Sequence, residues 1–134
     1  MAEGDKEKIA RFRELFSEQL TEYGFSSLPV SSVSLSPDSY RPSSLEGMDL
    51  QFDLSASDLI RSIWAYRLSF LELARDKETN HLGLLVIDQP GQQEMASESF
   101  SALLQRASRA GAYGQQILLA TSEEQSVVQH GVVA

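Results

Sequence analysis

Apolar residues recur along this chain at distinct spacings, and each spacing predicts an element. Between residues 5 and 23, Ile9, Phe12, Phe16, Leu20 and Tyr23 follow at steps of three and four, which puts them on one face of a helix. Lys6, Glu7, Arg11, Glu14, Glu18 and Glu22 fill the other face, and Gly24 supplies a stop. The stripe approaches a heptad but spans fewer than three, so it fits either an ordinary amphipathic helix or the end of a coiled coil. Residues 25–48 are rich in serine and proline. Alternation from Val30 to Leu35 predicts one short strand there, with Pro37, Pro42 and Gly47 making turns around it. Leu50, Phe52 and Leu54 alternate with polar residues, which predicts a half-buried strand over 49–54.

The second half is more strongly patterned. Ser55 or Ser57 can cap a helix, and Asp58 favours its electropositive first turn. Leu59, Ile60, Ile63, Trp64, Leu68, Phe70 and Leu71 then cover most of the circumference, as in a central, buried helix. After a polar turn over 77–83 comes the unbroken run Leu84 to Ile87, ended by Asp88, Gln89, Pro90 and Gly91. This predicts a strand buried on both faces. A helix over 94–110 would face inward with Met95, Phe100, Leu103, Leu104 and Ala107, and Gly111 and Gly114 would end it. Ile117 to Ala120 predict another strand, followed by Thr121, Ser122 and Glu123. Helix, strand, helix, strand implies parallel strands joined by a right-handed crossover, and so an α/β fold. The last residues, SVVQHGVVA, are weakly patterned.

Composition narrows the function classes. A chain of 134 residues with 42% hydrophobic content and a mean hydropathy of -0.21 fits one globular domain. No apolar run approaches the ~20 residues of a membrane span. The start, MAEGDKEKIARF, has no apolar signal core, so a cytoplasmic protein is expected. The absence of cysteine excludes disulfides, thiolate metal sites and cysteine nucleophiles. Eleven basic against nineteen acidic residues give a net charge of -8, which disfavours broad attraction to nucleic acid. His81 and His130 lack metal-ligand spacing. Trp64 and Tyr66 read as core, and Arg61 and Arg67 as solvated or ion-paired.

The chemistry should sit beyond the carboxyl ends of the parallel strands. Asp88, directly after four aliphatic residues, has the Walker B pattern, in which a carboxylate holds Mg2+ near nucleotide phosphates. Upstream, Leu54-Ser55-Ala56-Ser57-Asp58 opens the long helix that leads into that strand. Together these motifs resemble the C-terminal lobe of ABC-type ATPase heads. The similarity is to the coiled-coil branch of structural-maintenance-of-chromosomes proteins and double-strand-break-repair ATPases, of bacterial genome-maintenance or anti-phage type. The family's signature, Leu-Ser-Gly-Gly followed by Gln or Glu, would correspond to residues 54–58. The resemblance covers about residues 50–124 and, more loosely, the first helix. It implies two parts: residues 1–24 as the end of a coiled-coil arm, and 25–134 as the lobe.

The resemblance also implies roles. Ser55, with the amides of Ala56 and Ser57, would meet the γ-phosphate of ATP held by a second head. Asp88 would serve Mg2+. Gln89 would stand at the catalytic glutamate position, Gly91, Gln92 and Gln93 in the loop that crosses the head dimer, and Ser122 near the switch histidine. The implied partners are a P-loop-bearing N-terminal lobe, a second head and DNA through the full complex, with no membrane.

Two departures from the family qualify this. Gln89 cannot take a proton from water as a glutamate would, so hydrolysis should be slow. No G-x-x-x-x-G-K-[ST] occurs, so the chain cannot build a whole nucleotide site by itself. The other reading is a non-catalytic, acidic interaction module, with Ser55 a helix cap and Asp88 a turn residue. A receiver-like domain phosphorylated on Asp88 is weaker, since no acidic pair ends an earlier strand.

Overall fold

Helix α1 (Glu3–Glu22) buries Phe12, Leu15, Phe16 and Leu20, the face its sequence spacing marks out. The computed structural model describes residues 3–36, 40–44, 54–88 and 96–121. Gly24 ends α1 with a φ of 78, a left-handed conformation that suits glycine. There the amide of Gly24 donates to the Thr21 carbonyl (3.2 Å) and that of Phe25 to the Leu20 carbonyl (3.0 Å). This paired bonding with a hydrophobic Phe25–Leu20 closure is a Schellman ending. Gln19, outside the apolar stripe, is nevertheless fully buried. Its Nε2 donates to the Ala65 carbonyl and the Ser69 hydroxyl, while its Oε1 accepts from the Tyr23 hydroxyl at 2.8 Å. Its amide is therefore satisfied on both sides.

The serine-rich connector forms a 3-10 turn at Val30–Ser32, strand β1 (Val33–Leu35) and strand β2 (Pro42–Ser44). β1 and β2 pair antiparallel, Leu35 opposite Pro42. The sequence predicts one strand there and reads Pro42 as a turn residue. In the structure it begins an edge strand, where a missing backbone donor is tolerated. The strand predicted over 49–54 lies outside the described residues apart from Leu54.

Helix α2 (Ala56–Leu73) starts at Ser55, as its sequence predicts. Trp64, Ala65, Leu68, Leu71 and Leu73 are buried, with α1 against them. Its burial is not wholly apolar, because Asp58, Arg61, Ser62, Ser69 and Glu72 are also buried, while Ile63 and Phe70 stay partly open. Trp64 meets Tyr23 edge-on at 5.7 Å, and Tyr66 packs on Phe12 and Phe70. Both aromatics thus serve packing.

Strand β3 (Leu84–Asp88), helix α3 (Ser97–Ala107) and strand β4 (Gln116–Ala120) complete the order. β3 and β4 pair parallel, Leu84 opposite Gln116 through Asp88 opposite Ala120. The predicted parallel sheet is therefore present, as is the mixed α/β class. α3 is shorter than its pattern suggests. A 3-10 turn (Ser108–Tyr113) carries the chain past Gly111, and Gly114 (φ 68) ends it.

The two faces of this sheet differ from the sequence expectation of burial on both. Ile87 is buried, and Leu85, Ile117 and Leu119 are partly buried and pack on the core. On the other face Leu84, Val86 and Leu118 keep 45%, 53% and 56% of their surface open, and nearby Leu82 keeps 95%. The reason is topological. Among the described residues the sheet has two strands, and it turns one face to the core and the other to solvent.

Arg106 of α3 ties the helices together. Its Nε donates to both carboxylate oxygens of Glu72 on α2, at 3.1 and 2.8 Å. Its Nη2 lies 3.3 Å from Glu18 and its Nη1 3.0 Å from Glu22, both on α1. Burial by itself would lower the Arg106 pKa. The bonds to Glu72 and Glu22 outweigh it and hold the guanidinium above its ordinary value.

Candidate functional site

The N-terminus of α2 is built from three stretches of chain. Ser55 caps the helix, its hydroxyl oxygen accepting from the Asp58 amide at 3.2 Å. The Ser55 amide donates to the Ser27 hydroxyl oxygen at 3.1 Å. Asp58 is nearly inaccessible, and its Oδ2 accepts from the amides of Ser26 (3.1 Å) and Ser27 (2.7 Å) and from the Ser27 hydroxyl (2.6 Å). Its Oδ1 takes Arg61 Nη1 at 2.6 Å. Arg61 Nε reaches Ser99 Oγ on α3 at 3.1 Å, and the Ser99 hydroxyl donates to the Tyr23 carbonyl at 2.6 Å. The end of α1, the start of α2 and the start of α3 are thus pinned together at this one corner.

The electrostatics follow from those bonds. Burial would raise the Asp58 carboxyl. The Ser27 hydroxyl, Arg61 and the two backbone amides outweigh it, so the group sits below the usual carboxylate range. Sequence reasoning gives Asp58 a helix-dipole role. The structure adds a larger one, as the anchor of the connector that follows α1. Arg61 is ion-paired, as its sequence reading allows. Ser26, Ser27 and Ser99 are not singled out by sequence, because serines in a serine-rich connector and on a helix face carry no spacing signal.

What remains free at this corner is chemically simple. Ser55 and Ala56 are exposed and Ser57 is partly so. The amides of Ala56 and Ser57 belong to the first helical turn, which has no carbonyl partner of its own. Together with the Ser55 hydroxyl they make a small group of donors at the positive end of a helix, suited to an anion.

Asp88 ends β3 at the carboxyl edge of the parallel sheet, opposite Ala120, and is exposed. It supplies one carboxylate there, the donor type Mg2+ takes alongside phosphate oxygens and water. Among the described residues no group of three or more His, Asp or Glu gathers to hold a metal. His81 is engaged in its own turn, where Nδ1 accepts from the Gly83 amide at 3.0 Å. Gln89, Gly91, Gln92, Gln93 and Ser122 lie outside the described residues. Among the described residues no helix is long and apolar enough to cross a membrane. No family model matches the sequence, and no curated protein or solved structure is significantly similar to it.

Proposed function

We propose that this chain is the C-terminal lobe of an ABC-type, coiled-coil ATPase head, which completes an ATP site together with an N-terminal lobe carrying the P-loop. The observation that carries the reading is the open face of the parallel sheet among the described residues. Parallel sheets are normally covered on both faces. Among the described residues two strands leave an aliphatic face open, with Asp88 at the carboxyl end of β3. A second lobe that covers Leu84, Val86 and Leu118 would close that face.

In this reading Asp88 holds Mg2+ beside the phosphates of ATP gripped by the P-loop lobe. The metal's contribution is to offset phosphate charge. Ser55 and the amides of Ala56 and Ser57 donate to the γ-phosphate bound on a second head, so that ATP joins two heads. The resemblance assigns Gly91, Gln92 and Gln93 to that interface and Ser122 to the switch position. Gln89 would orient water by hydrogen bonding but cannot accept its proton, so hydrolysis is slow and the closed state lasts. α1 is the end of the returning coiled-coil arm, and its bonds through Ser27 and Asp58 couple the arm to Ser55. Joined heads of this kind act on DNA in repair, chromosome maintenance or phage defence, in the cytoplasm.

One observation favours a second reading, a non-catalytic acidic interaction module. Ser55 already has a complete structural task as the α2 cap. The variant Ser55→Ala separates the two. Loss of a cap costs about 1 kcal/mol of stability in either case. Only the ATPase reading also predicts the loss of ATP-dependent head association, read by light scattering with a P-loop lobe present. Unchanged association would favour the module.

A further inference from the structure

Away from the α2 N-terminus, the polar face of α1, the end of α2 and the 3-10 turn after α3 enclose a cavity of about 290 Å³. That is room for roughly ten waters of liquid volume. Arg75, Arg106, Arg109, Tyr113, Glu18 and Glu72 line it, with the Arg11–Asp76 pair at 3.1 Å on its edge.

The arginines differ in how well they are neutralised. Arg11 is shared between Asp76 and Glu14, and Arg106 is engaged by Glu72, Glu18 and Glu22. Arg75 is held rigidly without a counterion of its own. Its Nε donates to Gln115 Oε1 at 2.8 Å, and its guanidinium lies 4.3 Å over the Tyr113 ring. Its nearest carboxylate, Glu72 at 3.6 Å, is already bonded twice by Arg106. Arg75 Nη2 is buried with no hydrogen-bond partner. Burial, with repulsion from Arg106 and Arg109, pulls this guanidinium below its ordinary value against the opposing effect of Glu72 and Tyr113. Arg109 is exposed and forms no ion pair among the described residues.

A fixed, half-neutralised guanidinium beside a free one costs desolvation that the fold's own carboxylates do not offset. An oxyanion entering the cavity would offset it by charge, and the exposed Arg109 guanidinium offers that anion a planar fork of two parallel bonds. With Glu14 and Glu22 counted, five carboxylates answer the four lining arginines, so the positive potential is local to Arg75 and Arg109, in a chain whose overall charge is -8. We infer that this cavity is a phosphate-group site, with Arg75 and Arg109 as its ligands and Tyr113 as the platform that fixes Arg75. It is separate from the ATP-directed donors at Ser55 and does not depend on that assignment.

The test is a titration of the full chain with inorganic phosphate and, separately, with O-phosphoserine, followed by the arginine side-chain NMR signals at low ionic strength. Saturable shifts centred on Arg75 and Arg109 are expected. Arg109→Gln, an exposed change that leaves the fold intact, should weaken binding about tenfold, the effect of one charge-assisted hydrogen bond. Arg75→Gln should do at least as much, with Arg75→Lys keeping part of the affinity. Tighter binding of O-phosphoserine would make a phosphorylated side chain the source, and equal binding the free ion. The proposal is overturned if neither compound shifts these signals up to about 20 mM, or if Arg109→Gln binds as the parent does.

Discussion

Asp58 organises the corner where α1, α2 and α3 meet. It closes the connector by three hydrogen bonds and neutralises buried Arg61. Asp58→Asn keeps the shape and removes the charge, leaving Arg61 buried without its counterion. Breaking a buried pair in this way costs about 3 kcal/mol, to be read as a lower urea midpoint at neutral pH. The pH dependence has a definite sign. The folded carboxyl lies below its unfolded value of about 3.9. Its contribution is therefore complete above that value and is lost as pH falls through the folded one. An acid-unfolding profile of Asp58→Asn should lack this component, and a profile parallel to the parent's would contradict the assignment.

The helices are joined by a buried ion-pair network. Arg106 reaches carboxylates on α1 and α2, so its loss leaves buried Glu72 with only the longer contact to Arg75 at 3.6 Å. Arg106→Ala should destabilise by about 3–5 kcal/mol, and a double-mutant cycle with Glu72→Ala should recover much of that loss. Helix positions were legible in the sequence because a one-sided apolar face marks them: Phe12, Phe16 and Leu20 on α1, Leu103 and Leu104 on α3. The Ser55 cap and the parallel β3–α3–β4 order were legible for similarly local reasons. What joins the helices was not. Gln19, Arg106 and Glu72 are polar residues whose burial depends on partners distant in the chain, and no spacing reveals such a partner. β2 was missed because Pro42 counts locally as a turn former. The candidate site divides in the same way. Ser55 and Asp88 stand out by motif, whereas Ser27 and Ser99 acquire meaning only once three elements converge.

At the scale of the whole molecule, the parallel sheet has an open face among the described residues. Leu84, Val86 and Leu118 are aliphatic residues on an open face, and covering each would contribute about 1 kcal/mol. Substituting exposed positions usually changes stability by less than about 0.5 kcal/mol. Val86→Ser with Leu118→Ser should therefore leave the melting temperature of the isolated chain nearly unchanged, by differential scanning calorimetry. The same double change should abolish assembly with a P-loop lobe. A large drop in melting temperature would mean that this face is already covered within the chain.

The most direct test of the half-head account is ATP-dependent association of this chain with a P-loop-bearing N-terminal lobe, followed by light scattering and phosphate release. The comparison is between the chain with Gln89 and the Gln89→Glu variant. The account predicts that ATP drives a lasting complex with Gln89, and that glutamate makes the complex transient and accompanied by phosphate release. If ATP changes the association of neither version, the chain is not half of an ATPase head, and its open sheet serves an interaction independent of nucleotide.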